Sequence, residues 1–302
     1  MTVLIIGGSG FLGTELVRQA VEAGHETAAT FATTQPGTPS GTAWHPLDVR
    51  DQARVAEVIR EVGASVVINT SSTRADWAVT ADGAVRVALA AVEQGCRLVH
   101  VSSDAVFSGS RVHYDETCLP DPVTPYGAAK AAAETGVRLV APGAVVARTS
   151  LIIGYGRSVH ERAVLDLAAG TREGVLFTDD IRCPVHVEDL AAALWELALS
   201  DAAGVFHVAG PDALSRYDLG VLIAGREGAD AARLPTGRRA DTVPPGPLDV
   251  RLDGRITQQR LRTRIRGAHE FLTGGPRVPA VARGGGRNTS ASTGSVTGCD
   301  VS

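Results

Sequence analysis

An α/β fold with a doubly wound parallel sheet is predicted by three observations. The chain opens on a continuous apolar run, residues 2–6, which enters a glycine-rich turn and then an amphipathic helical pattern. Short apolar runs and helical patterns alternate through the first half, and alternation of this kind implies parallel strands joined by crossover helices. The strand-like runs are apolar throughout rather than every second residue, as expected of strands covered on both faces. A length of 302 residues can bury one large α/β domain or a domain with a smaller lobe.

The first strand leads into Gly7-Gly8-Ser9-Gly10-Phe11-Leu12-Gly13, where Gly7, Gly10 and Gly13 fit GxxGxxG, and the helix follows through Leu16, Val17, Ala20 and Val21. Glycines in this order allow a tight turn, close approach of backbone amides to a pyrophosphate and close helix-to-strand packing, while the helix N-terminus favours negative charge. Gly7, Gly10, Phe11, Leu12 and Gly13 are therefore the candidate dinucleotide loop. The second strand, residues 26–31, runs into Ala32-Thr33-Thr34, which supplies neither the acidic residue that favours NAD nor the arginine that favours NADP. The choice between the two cofactors stays open on this reading.

Leu47-Asp48-Val49 precedes a helix expected over residues 51–62. Asp48 can accept from an adenine amino group, with Val49 beside it, or cap that helix. The strand over residues 65–69 ends in Asn69-Thr70-Ser71-Ser72-Thr73, small residues that leave room for a ligand at the carboxyl end of an open sheet and make Asn69 and Ser71 candidate cofactor contacts. A helix over residues 76–94 returns the chain to the strand 97–101, at whose end stand Ser102-Ser103-Asp104. The crevice is expected where Gly10, Asn69, Ser103 and Tyr126 converge.

Tyr126-Gly127-Ala128-Ala129-Lys130 carries the strongest chemical signal. Lys and Arg together number 29, and every one except Lys130 is Arg. A compact ammonium and a planar guanidinium fork are not interchangeable close to a hydroxyl pair, so the single lysine marks a functional position. Four residues apart on a helix, Tyr126 and Lys130 stack on one face and can share a site.

With GGSGFLG, VINTSS, LVHVSSDAVFSG, the YGAAK segment followed by Glu134, and RTSLIIGYG in view, the chain resembles an extended short-chain dehydrogenase/reductase. Within that family it is most similar to the dTDP-4-dehydrorhamnose reductase branch, and DDIRCPVHVEDLA and FHVAGPDALSRYDL in the second half resemble that branch's substrate-lobe segments. The resemblance covers roughly residues 1–272. It implies a Rossmann-type sheet with a smaller C-terminal substrate-binding lobe, NADP or NAD as cofactor, and Ser103, Tyr126 and Lys130 as the catalytic triad. It implies reduction of the ketone of a keto-sugar nucleotide or related polar biosynthetic intermediate.

Those residue types suit the chemistry. The alkoxide left by hydride transfer must be protonated as it forms, and a phenol within reach can do this. A neighbouring ammonium would lower the phenol from its ordinary pKa near ~10, and Ser103 would hold the carbonyl oxygen. The departures from the branch concern the substrate. Ala105 stands in Ser103-Asp104-Ala105-Val106-Phe107 and Leu151 follows Arg148-Thr149-Ser150, both at positions where the branch usually carries an aromatic. Asp104 either bonds a substrate hydroxyl or caps the turn before Val106. Two other readings stay open: a non-catalytic NAD(P)-binding regulatory subunit, and an epimerase or dehydratase that uses bound NAD transiently.

The organisation expected is a dinucleotide-binding domain over residues 1–155, a mostly substrate-binding lobe over 156–272 with some elements returning to the sheet, and a disordered tail over 273–302, where Gly, Ser, Thr and Arg replace apolar periodicity. In the lobe, helices are expected over 158–169, 187–198, 216–224 and 258–272, and strands over 175–177 and 205–208. Arg182 is the candidate to pair with a substrate phosphate or carboxylate, the alternative being an ion pair with Asp179 or Asp180. A net charge of −4 with scattered charges suggests neither nucleic acid nor a membrane surface as a partner. Cys96, Cys118, Cys183 and Cys299 show no paired spacing and the histidines no ligand spacing, so no metal is expected. A cytoplasmic protein with a small-molecule substrate, assembling as a homodimer, is the resulting expectation.

Overall fold

The computed structural model describes residues 1–36, 41–74, 76–243 and 246–273. The first strand, β1 (Val3–Ile6), is followed by α1 (Phe11–Glu22), β2 (Thr27–Phe31), β3 (Ala43–Pro46), α2 (Gln52–Val62), β4 (Val66–Asn69), α3 (Gly83–Glu93), β5 (Arg97–Ser103), α4 (Pro125–Val140) and β6 (Val145–Thr149). In the second half come α5 (Val159–Ala169), α6 (Val187–Ala198), β7 (Gly204–His207), α7 (Arg216–Glu227), α8 (Arg255–Arg260) and α9 (Ala268–Thr273), with strands of two or three residues between them. The seven strands form one parallel sheet in the order β7-β6-β5-β4-β1-β2-β3.

The strand order reverses beside β1, so the turn after β1 opens into the crevice at the carboxyl edge of the sheet. Period-2 alternation explains why both faces are covered. Val3 and Ile5 pack with Leu16, Val17, Leu190 and Leu194 of α1 and α6, whereas Leu4 and Ile6 pack with Val58, Val87 and Val137 of α2, α3 and α4. Each of these four β1 side chains is wholly buried, which contributes about 1.5–3 kcal/mol apiece. A third core joins α5, α7 and α9 through Val164, Leu167, Leu219, Ile223 and Leu272. The sheet thus recruits α6 and β7 from the second half, and the remaining helices form a lobe over its carboxyl edge.

Several elements differ from the sequence expectation. Asp51, not Asp48, caps α2, accepting from the Arg54 amide at 3.0 Å. Asp48 instead accepts from the Arg50 amide at 2.9 Å and pairs with its guanidinium at 2.6 Å. The helix expected from residue 76 starts as a π-helical turn over Ala78–Asp82 and only then becomes α3. Thr80 Oγ1 bonds both the amide and the carbonyl of Thr73, tying that turn to the loop behind it.

The final helix is two helices. Between α8 and α9 the backbone amides of Arg262 and Thr263 are taken by Glu196, and that of Arg266 by Asp189, so α6 pulls the segment out of helical pairing. The expected tail over 273–302 lies outside the described residues except for Thr273, the last residue of α9. No helix among the described residues is long and apolar enough to cross a membrane. Among the same residues no group of three or more His, Cys, Asp or Glu side chains is placed to hold a metal ion.

Candidate active site

A cleft of about 770 Å³ opens at the carboxyl edge of the sheet and brings together Phe11, Leu12, Ser103, Asp104, Tyr126, Lys130 and Arg182. Ser103 ends β5 and caps a 3₁₀ turn at Asp104–Val106: its Oγ accepts from the Ala105 amide at 3.2 Å and donates to Asp104 Oδ1 at 3.2 Å. Asp104, buried, also accepts from Ser150 Oγ at 2.6 Å and lies 3.7 Å from Arg182 Nε. Asp104 is therefore fixed beneath the serine by its neighbours.

Tyr126 and Lys130 come from the start of α4. Thr124 caps this helix by accepting from the Gly127 amide at 3.1 Å, and Pro125 occupies its first turn, where a missing N–H costs nothing. Gly127 is required by close approach. A Cβ there would lie 2.1 Å from the Ala105 carbonyl oxygen, so the absence of a side chain lets α4 abut the 3₁₀ turn that carries Ser103. Gly127→Ala is expected to push the helix away, costing about 1–3 kcal/mol by overpacking. Turnover per folded molecule should fall at least about tenfold, since the tyrosine is displaced from the serine. Thermal melts combined with rates corrected for folded fraction check both.

Lys130 is 3% exposed, and its Nζ donates to the Val101 carbonyl at 3.0 Å. Burial pushes the amine down to about 8, opposed by the nearby Glu134 carboxylate. The Tyr126 hydroxyl lies 3.4 Å from Ser72 Oγ. Burial pushes the phenol up, opposed by Ser72, Arg74 and Ser103 and reinforced by Asp104. This ordering corrects the sequence expectation that Lys130 lowers the phenol. Burial drives the two groups in opposite directions, so an amine titrating near 8 has lost its proton before a phenol held above 10.0 ionises. Here the phenol's polar partners are hydroxyls and Arg74, whose guanidinium sits 5.9 Å from the ring centroid.

The glycine loop has no room for side chains. A Cβ on Gly13 would sit 2.2 Å from the Gly7 carbonyl oxygen, and Gly7 adopts φ +82° with Thr70 Oγ1 and the Ser71 amide against it. Gly10 is the N-cap of α1, with no side-chain cap and no acidic residue in the first turn. The amides at this helix start are thus open to an anion. That cradle, next to Phe11 and Leu12 in the cleft, fits a dinucleotide pyrophosphate.

Asn69, Val49 and Asp48 are not among the residues that line this cleft, and Arg182 lines it with its guanidinium already engaged. Asn69 is buried, accepting from the Ser71 amide and hydroxyl and facing His100 at 3.4 Å. Val49 is buried against Gly83, and Asp48 is held by Arg50. Arg182 is committed within the protein: it pairs with Asp180 at 2.8 Å and donates to the carbonyls of Ile181, Pro247 and Leu248.

The cleft contains cations the sequence reading missed, Arg74, Arg172, Arg216 and Arg239. Arg216 pairs with Asp180 at 3.1 Å and faces His160 Nδ1 at 3.4 Å. Arg172 forms no ion pair among the described residues. With Lys130 and Arg182, the lining carries six basic side chains against the carboxylates of Asp104 and Asp180, a field that draws polyanions. No local motif announces these arginines, which are dispersed between positions 74 and 239 and meet only in the folded chain. Ala105 and Leu151 both line the cleft, so the positions lacking aromatics are wall positions.

Comparison with known proteins agrees with this geometry. The spore coat polysaccharide biosynthesis protein SpsK of Bacillus subtilis is 30% identical over 77% of this chain and 81% of its own length. dTDP-4-dehydrorhamnose reductase of Mycobacterium tuberculosis is 30% identical over 81% of this chain and 82% of its own. The crystal structure of dTDP-4-dehydrorhamnose reductase from Bacillus anthracis, a complex with NADP, superposes with a TM-score of 0.75 over 90% of this chain and 96% of that one at 22% identity, a likeness of fold. The family model for the RmlD substrate binding domain matches residues 1–266, and the chain belongs to that family.

Proposed function

We propose that the protein is an NAD(P)H-dependent reductase acting on the ketone of a keto-sugar nucleotide or a closely related polar intermediate. The observation that carries this reading is the meeting of Ser103, Tyr126 and Lys130 in one cation-rich cleft beside the uncapped N-terminus of α1. The reductases among its relatives, including the M. tuberculosis enzyme, support the same reaction class.

The Gly7–Gly13 loop and the first amides of α1 would hold the cofactor pyrophosphate, and Lys130 its nicotinamide ribose. The bound cofactor supplies hydride. Tyr126, protonated at neutral pH because burial raises its pKa, donates a proton to the forming alkoxide. Ser103 is fixed by Asp104 and the Ala105 amide so that its hydroxyl can turn to the carbonyl oxygen. Arg74, Arg172 and Arg239, without a carboxylate partner among the described residues, are the guanidinium groups available to the substrate diphosphate, while Arg182 orders Asp104 and Asp180. With Ala105 and Leu151 as walls, the sugar site admits a substituent larger than a branch member with aromatics there would accept.

A pH profile tests the role of Lys130. An amine at about 8 is cationic at neutral pH and neutral above that value. The kcat/KM for the reduction should therefore be sustained near pH 7 and fall on the alkaline side with a midpoint near 8, as the free protein loses the Lys130 charge. A profile flat to pH 10 contradicts it.

A further inference from the structure

Lys130 and Glu134 lie one turn apart on α4, and each is bound to one of two adjacent residues of β5. Lys130 Nζ holds the Val101 carbonyl at 3.0 Å, and Glu134 Oε1 accepts from Ser102 Oγ at 2.6 Å. Arg148 of β6 closes the arrangement from the other side, with Nη2 2.8 Å from Glu134 Oε2 and Nε 3.0 Å from Oε1. Glu134 and Arg148 are each 1% exposed. The remaining Arg148 nitrogen donates to the Cys118 carbonyl at 3.1 Å and faces His207 Nε2 at 3.4 Å.

A buried ion pair is weak evidence of stabilisation, because an apolar pair of similar volume often serves as well. The placement of this one suggests another use. The ionisable groups around the Lys130 amine are few: Tyr126 and Glu134 on its own helix, His100 on β5, Asp104 beyond the end of β5, and Arg148 on β6. His100 is wholly buried and held neutral, its pKa pushed down to about 3 by burial and by Lys130 itself. Asp104 is engaged by Ser103, Ser150 and Arg182. Glu134 is thus the carboxylate whose field reaches the amine, and it does so without a direct contact, since its oxygens are held by Ser102 and Arg148.

We propose that Glu134, paired with Arg148, is a positioning residue that holds the Lys130 amine cationic and fixed against Val101 at neutral pH. It acts in two ways. Its negative charge offsets the burial that would neutralise the amine, and its bond to Ser102 pins α4 to β5 at the residue next to the carbonyl that Lys130 holds. The inference rests on the reading of Lys130 as a working ammonium, but its test does not require turnover.

Because the chain has one lysine, protein labelled with ¹³Cε-lysine gives a single side-chain signal, and its pH titration reads Lys130 directly. The wild-type midpoint should fall near 8. In Glu134→Gln it should move down by about one unit or more, the usual scale for losing a nearby opposite charge. If that variant fails to fold, because Arg148 is left unpaired, the double variant Glu134→Gln/Arg148→Met removes both charges and should show a smaller fall, because the Arg148 cation that opposes the carboxylate goes with it. An unchanged midpoint in either folded protein overturns the proposal. A lowered midpoint accompanied by an alkaline limb of kcat/KM that does not move supports the role of Glu134 on the amine, and refutes the functional reading of Lys130 instead.

Discussion

Tyr126→Phe should lower turnover on the order of 10²-fold or more while leaving cofactor affinity nearly intact, the usual scale for loss of a general acid. The structure explains why the two effects separate. The phenol's partners within the protein are hydroxyls, Ser72 at 3.4 Å and Ser103, so removing it breaks little of the protein's own bonding. The ring itself packs at the start of a helix whose cap and proline are untouched by the change. Folding should thus be preserved, and the loss should appear in kcat. Steady-state rates together with cofactor titration by fluorescence measure both, and unchanged turnover would remove Tyr126 from the chemistry.

Substitution of Lys130 should be equally severe, with an opposite effect on stability depending on the replacement. Lys130→Arg keeps the charge but places a wide fork in a space that is 3% exposed and offers only the Val101 carbonyl. Overpacking of this kind costs about 1–3 kcal/mol, and activity should fall by about 10²-fold or more because the fork cannot take the place of a compact ammonium. Lys130→Met should be just as inactive yet more stable at pH 7. Burial pushes the native amine down to about 8 from the ordinary lysine value of 10.5, so the buried cation disfavours the folded state. That penalty is full below about pH 8, shrinks as pH rises and is gone above 10.5; at 1.36 kcal/mol per unit it is about 3 kcal/mol. Thermal melts at pH 7 that show Lys130→Met less stable than wild type would contradict this account of the site.

Much of the sheet was legible because its signals are local. The run TVLII, the glycines after it and the amphipathic face of α1 lie within the first 22 residues, and α6 has the 187–198 bounds expected from its apolar pattern. Ser103, Tyr126 and Lys130 were legible for the same reason, each being marked by strand end or helix spacing. What could not be read depends on partners distant in the chain. The break between α8 and α9 comes from Glu196 and Asp189, 66 and 77 residues before the amides they take from Arg262 and Arg266. Of the two readings of Arg182 the ion pair with Asp180 is the one that forms, while the carbonyls that also occupy it, Pro247 and Leu248, lie 65 and 66 residues away and could not be read. Even the ordering of the Tyr126 and Lys130 titrations depends on burial, which spacing along one helix does not reveal.

The carbonyl-reducing role is tested most directly by following the hydride itself. Purified protein would be given NADH or NADPH deuterated at the transferring position, together with a panel of 4-keto-sugar nucleotides, with Tyr126→Phe as the control. The account expects one deuterium on the new carbinol carbon of at least one product, one cofactor oxidised per product formed, and both signals lost in the variant. Sugar interconversion without net cofactor oxidation, or cofactor binding with no deuterium transferred to any member of the panel, would contradict it.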